Sequence, residues 1–198
     1  MSEYTASTPR RSSRLNSKDP SNVQGVAKPE KTETSSDTTA SPANELEQSI
    51  DVGDLIPDLT LLNQDEVPVK LSELVKSRGL VIFAYPRAST PGCTKQGCGF
   101  RDNYPQIQAA DYEVFGVSFD SCKSQKSFKT KQEFPYDLLS DPEGLLIERL
   151  GARKPDGKLF RSHWIFEKGS GKCLVKEIDI SPLDSVDKVF QVVTGSNA

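Results

Sequence analysis

An α/β fold with a mixed central sheet flanked by helices is what this sequence predicts, and three features carry it. The apolar run Leu80 to Tyr85 closes on Pro86 and reads as a strand buried on both faces. Behind it, Phe100, Tyr104 and Ile107 recur at helical spacing and mark an inward face. Val114 to Phe119 then supplies a second buried strand. Strand, helix and strand make a βαβ unit, whose crossover is expected to be right-handed.

The remaining elements follow in order. Leu59 to Leu62 and Val67 to Leu71 read as a preceding pair of strands. Ser89-Thr90-Pro91-Gly92-Cys93 opens the crossover helix, with a hydroxyl cap before a proline at the first helical position. A polar helix is expected from about Ser124 to Lys131. A short one from Leu145 to Leu150 is stopped by Gly151. Ser162 to Phe166 and Leu174 to Ile178 form two strands joined through Lys168-Gly169-Ser170-Gly171. Ser181-Pro182 begins a last helix, with Val186, Val189, Phe190 and Val193 on one face. This order is the thioredoxin-like arrangement.

Composition divides the chain of 198 residues near residue 48. In residues 1–48 the only aromatic is Tyr4, and Ser, Thr, Pro, Asn and charged residues dominate. Such a tail cannot bury enough apolar surface to offset its ordering entropy, so disorder is expected there. Residues 49–198 form one domain, and a domain of about 150 residues buries roughly 70% of its unfolded surface. The formal net charge of −3 excludes a globally basic nucleic-acid binder. A local basic cluster, Arg10, Arg11, Arg14 and Lys18, fits an import signal or a weak nucleic-acid contact, or else a solvated linker. No apolar run reaches the length of a membrane span, and no secretory signal is expected.

Cys93 is the residue expected to be reactive. With Thr90 as cap it is the third residue of the helix, where unpaired backbone N–H groups and the helix dipole favour an anion. A thiolate is such an anion. Gly92 lets the backbone approach whatever the sulfur attacks. The position also lies just beyond the carboxyl end of a buried strand, where open α/β sheets bind ligands.

Cys98 follows five residues later. On an ideal helix this means about 7.5 Å of rise, about 140° of rotation and roughly 8.6 Å between Cα atoms. A disulfide spans at most about 7 Å. The two sulfurs can bond only if the first turns unwind. Cys122, at a strand-to-helix junction, and Cys173, in an expected strand, are read as structural. The spacing of the four cysteines contains no Cys-x-x-Cys pair, which argues against zinc. His163 is the only histidine and is read as an ordinary strand residue.

The stretch Tyr85-Pro86-Arg87-Ala88-Ser89-Thr90-Pro91-Gly92-Cys93-Thr94-Lys95-Gln96-Gly97-Cys98-Gly99-Phe100-Arg101-Asp102 resembles the active-site segment of peroxiredoxins. More narrowly it is similar to the peroxiredoxin Q, or bacterioferritin comigratory protein, branch, marked by a second cysteine five residues after the first. The resemblance runs from about residue 50 to 195 and includes Ser140-Asp141-Pro142 and Arg161-Ser162-His163. With its basic tail the chain also resembles fungal nuclear thiol peroxidases. The resemblance implies a thioredoxin fold, no cofactor, and reduction of hydrogen peroxide or alkyl hydroperoxides. Cys93 would be the peroxidatic cysteine and Cys98 the resolving one, joined as an intramolecular disulfide that thioredoxin reduces. Backbone N–H groups of Gly92 and Cys93 would stabilise charge. Thr90 would present its hydroxyl to thiolate and peroxide, Pro91 would shield the sulfur, and Arg161 would stabilise the thiolate and polarise the peroxide. His163-Trp164 and Cys122 depart from the family pattern. The branch further implies a monomer and, with the tail, a nuclear rather than cytoplasmic location.

Two other classes compete. A thiol–disulfide oxidoreductase on the same fold would reduce insulin directly, although four residues rather than two separate the cysteines. A redox-sensing nuclear interaction module would depend on residues 1–48 and not on Cys93.

Overall fold

The computed structural model describes residues 49–195. The expected tail, with Arg10, Arg11, Arg14 and Lys18, lies outside them. Within the described residues the elements run β1 (Thr60–Asn63), β2 (Pro68–Lys70), α1 (Leu71–Ser77), β3 (Gly79–Ala84), α2 (Pro91–Ala109), β4 (Tyr112–Ser118), α3 (Cys122–Gln132), β5 (Asp137–Ser140), α4 (Leu145–Arg149), β6 (Ser162–Phe166), β7 (Cys173–Ile178) and α5 (Pro182–Thr194). The strands form one mixed sheet of order β2-β1-β5-β4-β3-β6-β7. β3 pairs with β4 in parallel and with β6 antiparallel, so it is the strand through which the two halves meet.

The alternation of β3 sorts the core into two layers. Leu80, Ile82 and Ala84 face a cluster that holds Leu71 and Val75 of α1 with Leu146 and Ile147 of α4. Val81, Phe83 and Tyr85 face the opposite cluster, built by Phe100, Tyr104 and Ile107 of α2, Phe128 of α3 and Val186, Val189 and Val193 of α5. Helices therefore cover both faces of the sheet, which is why β3 is apolar without a break. Phe83 stacks on Phe100 at 4.5 Å between ring centroids, pinning α2 to β3. Such a pair adds about 1 kcal/mol beyond its buried area.

Several expected boundaries shift. The second strand of the expected N-terminal pair ends at Lys70, because Leu71 starts α1 and faces the core. The sequence reading left out α1, whose seven residues are too short for periodicity to register. It also left out β5, four residues long, which exists through its parallel pairing with β4 and antiparallel pairing with β1. α3 begins at Cys122, where Ser121 caps it by accepting from the Ser124 N–H, rather than at Ser124. No helix among the described residues is long and apolar enough to cross a membrane.

Gly116 lies in β4 where Leu138, Phe83 and Tyr85 pack against the strand. A Cβ there would stand 2.7 Å from Leu138 Cδ2 and 2.8 Å from Phe83 Cζ. Gly116→Ala is expected to lower unfolding stability by about 2 kcal/mol through overpacking. Urea denaturation measures it, and an unchanged midpoint would contradict this account of the core.

Candidate active site

The carboxyl end of β3 delivers the chain to the site. Tyr85 continues the strand line, its N–H donating to Val117 O at 3.1 Å, and Pro86 ends it. The loop that follows is tied to the end of β4. Ala88 N–H donates to Asp120 Oδ2 at 2.7 Å, and the same oxygen accepts from Ser118 Oγ at 2.8 Å. Ser89 is held at φ +62°, a conformation uncommon for a serine. Together these constraints fix where α2 begins.

Thr90 occupies the N-cap position with extended backbone, as expected. Its hydroxyl does not cap the helix. It turns back and donates to Arg87 O at 3.0 Å, so the first-turn N–H groups receive no side-chain cap from it. Pro91 has no N–H, and Thr94 N–H closes the first turn on Thr90 O at 2.8 Å. This corrects the expected hydroxyl cap: the Thr90 hydroxyl is spent on Arg87 O and caps nothing in α2. Pro91 is exposed, and Cys93 behind it is 1% exposed.

Arg161 stands immediately before β6, and the pairing of Ala84 with Ser162 sets it beside the end of β3. Its Nη2 lies 3.3 Å from Cys93 Sγ, and its Nη1 donates to Gln96 Oε1 at 2.6 Å. Residues 68 positions apart in sequence are thus brought to hydrogen-bond distance. Gly92 makes room for this contact. A Cβ at residue 92 would meet Arg161 Nη2 at 3.3 Å, tighter than ordinary packing. The guanidinium and the first turn of α2 place two sources of positive potential on one sulfur.

Cys98 lies on the same unbroken helix, with its thiol free. It is half-buried, donates toward Gln132 Oε1 at 3.6 Å and leans on the aromatic cluster over the sheet. Glycines flank it on both sides. A Cβ at Gly97 would stand 2.5 Å from Phe134 Cζ, and one at Gly99 would stand 2.7 Å from Val186 Cγ2. Close packing demands glycine here, and glycine weakens a helix by about 1 kcal/mol per residue relative to alanine. The segment between the two cysteines is therefore held by its neighbours more than by its own propensity.

The other cysteines are elsewhere. Cys122 opens α3 and lines a cleft with Thr60, Leu62, Ser140 and Leu145. Cys173 begins β7, buried in the layer away from α2, and burial pushes its thiol up to about 11. Trp164, one of the departures from the family pattern, packs in that same layer and does not face Cys93. Among the described residues no group of three or more His, Cys, Asp or Glu side chains could hold a metal ion.

Two polar residues that the sequence reading passed over complete the site, and they reach His163. Gln96 and Ser185 are fully buried, and Gln96 Nε2 donates to Ser185 Oγ at 3.0 Å. Ser185 Oγ in turn lies 3.2 Å from His163 Nδ1. Burial lowers the His163 imidazole to about 4, so it is neutral at pH 7. Gln96 was visible in principle, since it sits one turn before Phe100 on the inward stripe.

The chain matches the model of the AhpC/TSA family over residues 52–171. It is 68% identical over 152 residues to peroxiredoxin bcp1 of Schizosaccharomyces pombe, covering 76% of this chain and 78% of that one. Among solved structures, peroxidoxin BcpB of Mycobacterium tuberculosis aligns with TM-score 0.67 and 31% identity, covering 74% of this chain and 98% of the other. The bacterioferritin comigratory protein of Xanthomonas campestris, a structure concerned with alkyl peroxide reduction, aligns with TM-score 0.68 and 27% identity over 73% and 98%.

The neutral His163 makes stability depend on pH. Its folded value, about 4, lies below the ordinary histidine value of 6.5, so the unfolded chain binds the extra proton. Its contribution is therefore complete above pH 6.5 and is lost as pH falls toward 4, by on the order of 3 kcal/mol. Unfolding curves between pH 7 and pH 4.5 are expected to show a shallower loss of stability in His163→Asn than in the parent. Equal slopes would mean that His163 is not buried neutral.

Proposed function

This chain belongs to the AhpC/TSA family as a peroxiredoxin of the Q, or bacterioferritin comigratory protein, branch, and from that membership we propose how its residues carry out thiol-dependent peroxide reduction. The observation that carries the reading is the 3.3 Å contact between Arg161 Nη2 and Cys93 Sγ at the start of α2.

The Cys93 thiolate is the nucleophile. It attacks one oxygen of a hydroperoxide, the O–O bond breaks, and the departing oxygen takes a proton to leave as water or an alcohol. Cys93 is left as a sulfenic acid, two electrons oxidised. Arg161 and the N–H groups of Gly92 and Cys93 stabilise the charge as it moves from sulfur to the departing oxygen. Thr90 has its proton committed to Arg87 O, which leaves its oxygen as an acceptor for the peroxide O–H. Pro91 forms the outer wall of the sulfur's pocket.

The next step needs α2 to open between residues 93 and 98. Cys98 then attacks the sulfenic sulfur, expelling water and forming an intramolecular disulfide. A thioredoxin-type dithiol reduces that bond by exchange and returns both thiols. The glycine content around Cys98 supports this order, since the segment has little intrinsic helical preference to lose.

Stopped-flow mixing of the reduced protein with hydrogen peroxide tests the reading. Cys93→Ser is expected to abolish peroxide consumption. Cys98→Ser is expected to retain one round of peroxide reduction and to lose thioredoxin-driven turnover. Full turnover by Cys98→Ser, with no disulfide to Cys122 or Cys173, would overturn the resolving assignment. Fast peroxide consumption by Cys93→Ser would overturn the reading as a whole.

A further inference from the structure

Resting on that reading of Cys93 and Arg161, we propose that Ser185 and His163 are positioning residues that set the orientation of the Gln96 carboxamide and, through it, hold the Arg161 guanidinium on the Cys93 sulfur. The reasoning begins with an ambiguity. A carboxamide has an oxygen end and an N–H₂ end of nearly equal size, and only the oxygen can accept from a guanidinium. Turned the other way, Gln96 would set two N–H donors against the N–H donors of Arg161. Something must select the productive sense.

The contacts form one continuous buried chain from Arg161 to His163. Arg161 Nη1 donates to Gln96 Oε1 at 2.6 Å, and Gln96 Nε2 donates to Ser185 Oγ at 3.0 Å. Ser185 Oγ lies 3.2 Å from His163 Nδ1. The neutral imidazole and the Ser185 hydroxyl share one hydrogen bond whichever ring nitrogen carries the proton, and in either case the serine oxygen keeps a lone pair to accept from Gln96. Gln96, Ser185 and His163 are all 0% exposed, so no water competes for these positions. A flipped amide would leave buried donors facing one another, which is the costly arrangement.

Topology explains why these residues meet. His163 lies on β6 two positions after Arg161 and points to the α5 side of the sheet, where Ser185 lies in the first turns of α5. The short stretch of residues 161–163 therefore supplies both the arginine and the far end of the chain that orients it. Gln96 closes the circuit from α2, between Cys93 and Cys98. The circuit exists only while that segment is helical, so opening the turn for the disulfide also releases Arg161 from its guide.

A double-mutant cycle tests the proposal, with the second-order rate of Cys93 oxidation by hydrogen peroxide as the readout. Ser185→Ala is expected to lower that rate about tenfold, the effect of one lost buried hydrogen bond that acts on the reacting group. In a Gln96→Ala background the same change is expected to have no further effect, because its route to Arg161 is already cut. His163→Asn, whose amide can donate or accept near the former Nδ1, is expected to stay closer to the parent rate than His163→Leu. Thermal melting of every variant separates lost folding from lost orientation. An unchanged rate in folded Ser185→Ala, or effects of Ser185→Ala and Gln96→Ala that simply multiply, would overturn the positioning role. A parent protein that does not react rapidly with peroxide would instead overturn the reading of the site itself.

Discussion

Cys98 follows Cys93 by five positions on one α-helix, and in the proposed mechanism that spacing governs how the rest of the site has to work. While α2 is wound, the sulfur of Cys93 sits at the positive end of the helix against Arg161, the arrangement suited to a thiolate meeting a peroxide. While it is wound, the partner thiol is also about 8.6 Å away in Cα terms, beyond the reach of a disulfide. In the proposed mechanism one conformation favours the first chemical step and forbids the second. The protein has to hold the turn firmly enough to react and loosely enough to open.

The structure holds this turn with packing in place of propensity. Gly97 and Gly99 give the turn little preference for helix, yet each is pressed by a neighbouring side chain, Phe134 and Val186, that leaves no space for a methyl group. Tyr136 donates to Gly97 O at 2.7 Å from the sheet side. Gln96 ties the same turn to Arg161 and Ser185. These restraints all come from outside the helix, so they can be released together when the turn leaves its seat. Below it, Phe100 stacked on Phe83 anchors the remainder of α2, and opening can stop there.

Much of this was legible in the sequence, and the division is physical. The βαβ unit announced itself because β3 and β4 are buried on both faces and α2 carries a regular apolar stripe. The place of Cys93 at the head of α2 was legible because it depends on local features: a proline, a glycine and the end of a strand. β5 and α1 were not, since Asp137–Ser140 and Leu71–Ser77 are too short to establish a period and owe their form to partners elsewhere. Thr90 was placed at the right position with the wrong hydrogen bond, because Arg87 O competes with the helix for its hydroxyl. Gln96, Ser185 and His163 are polar residues far apart in sequence, and only the packing of α2 and α5 against β6 shows that they share a buried chain.

Amide hydrogen exchange across residues 91–100, compared between the reduced protein and the peroxide-oxidised protein, tests the coupling of redox state to helix most directly. The account expects slow exchange in this segment when both thiols are reduced. It expects exchange close to that of an open chain once Cys93 and Cys98 are joined, with β3 and β4 protected in both states. A Cys93–Cys98 disulfide formed with undiminished protection of this segment would contradict it.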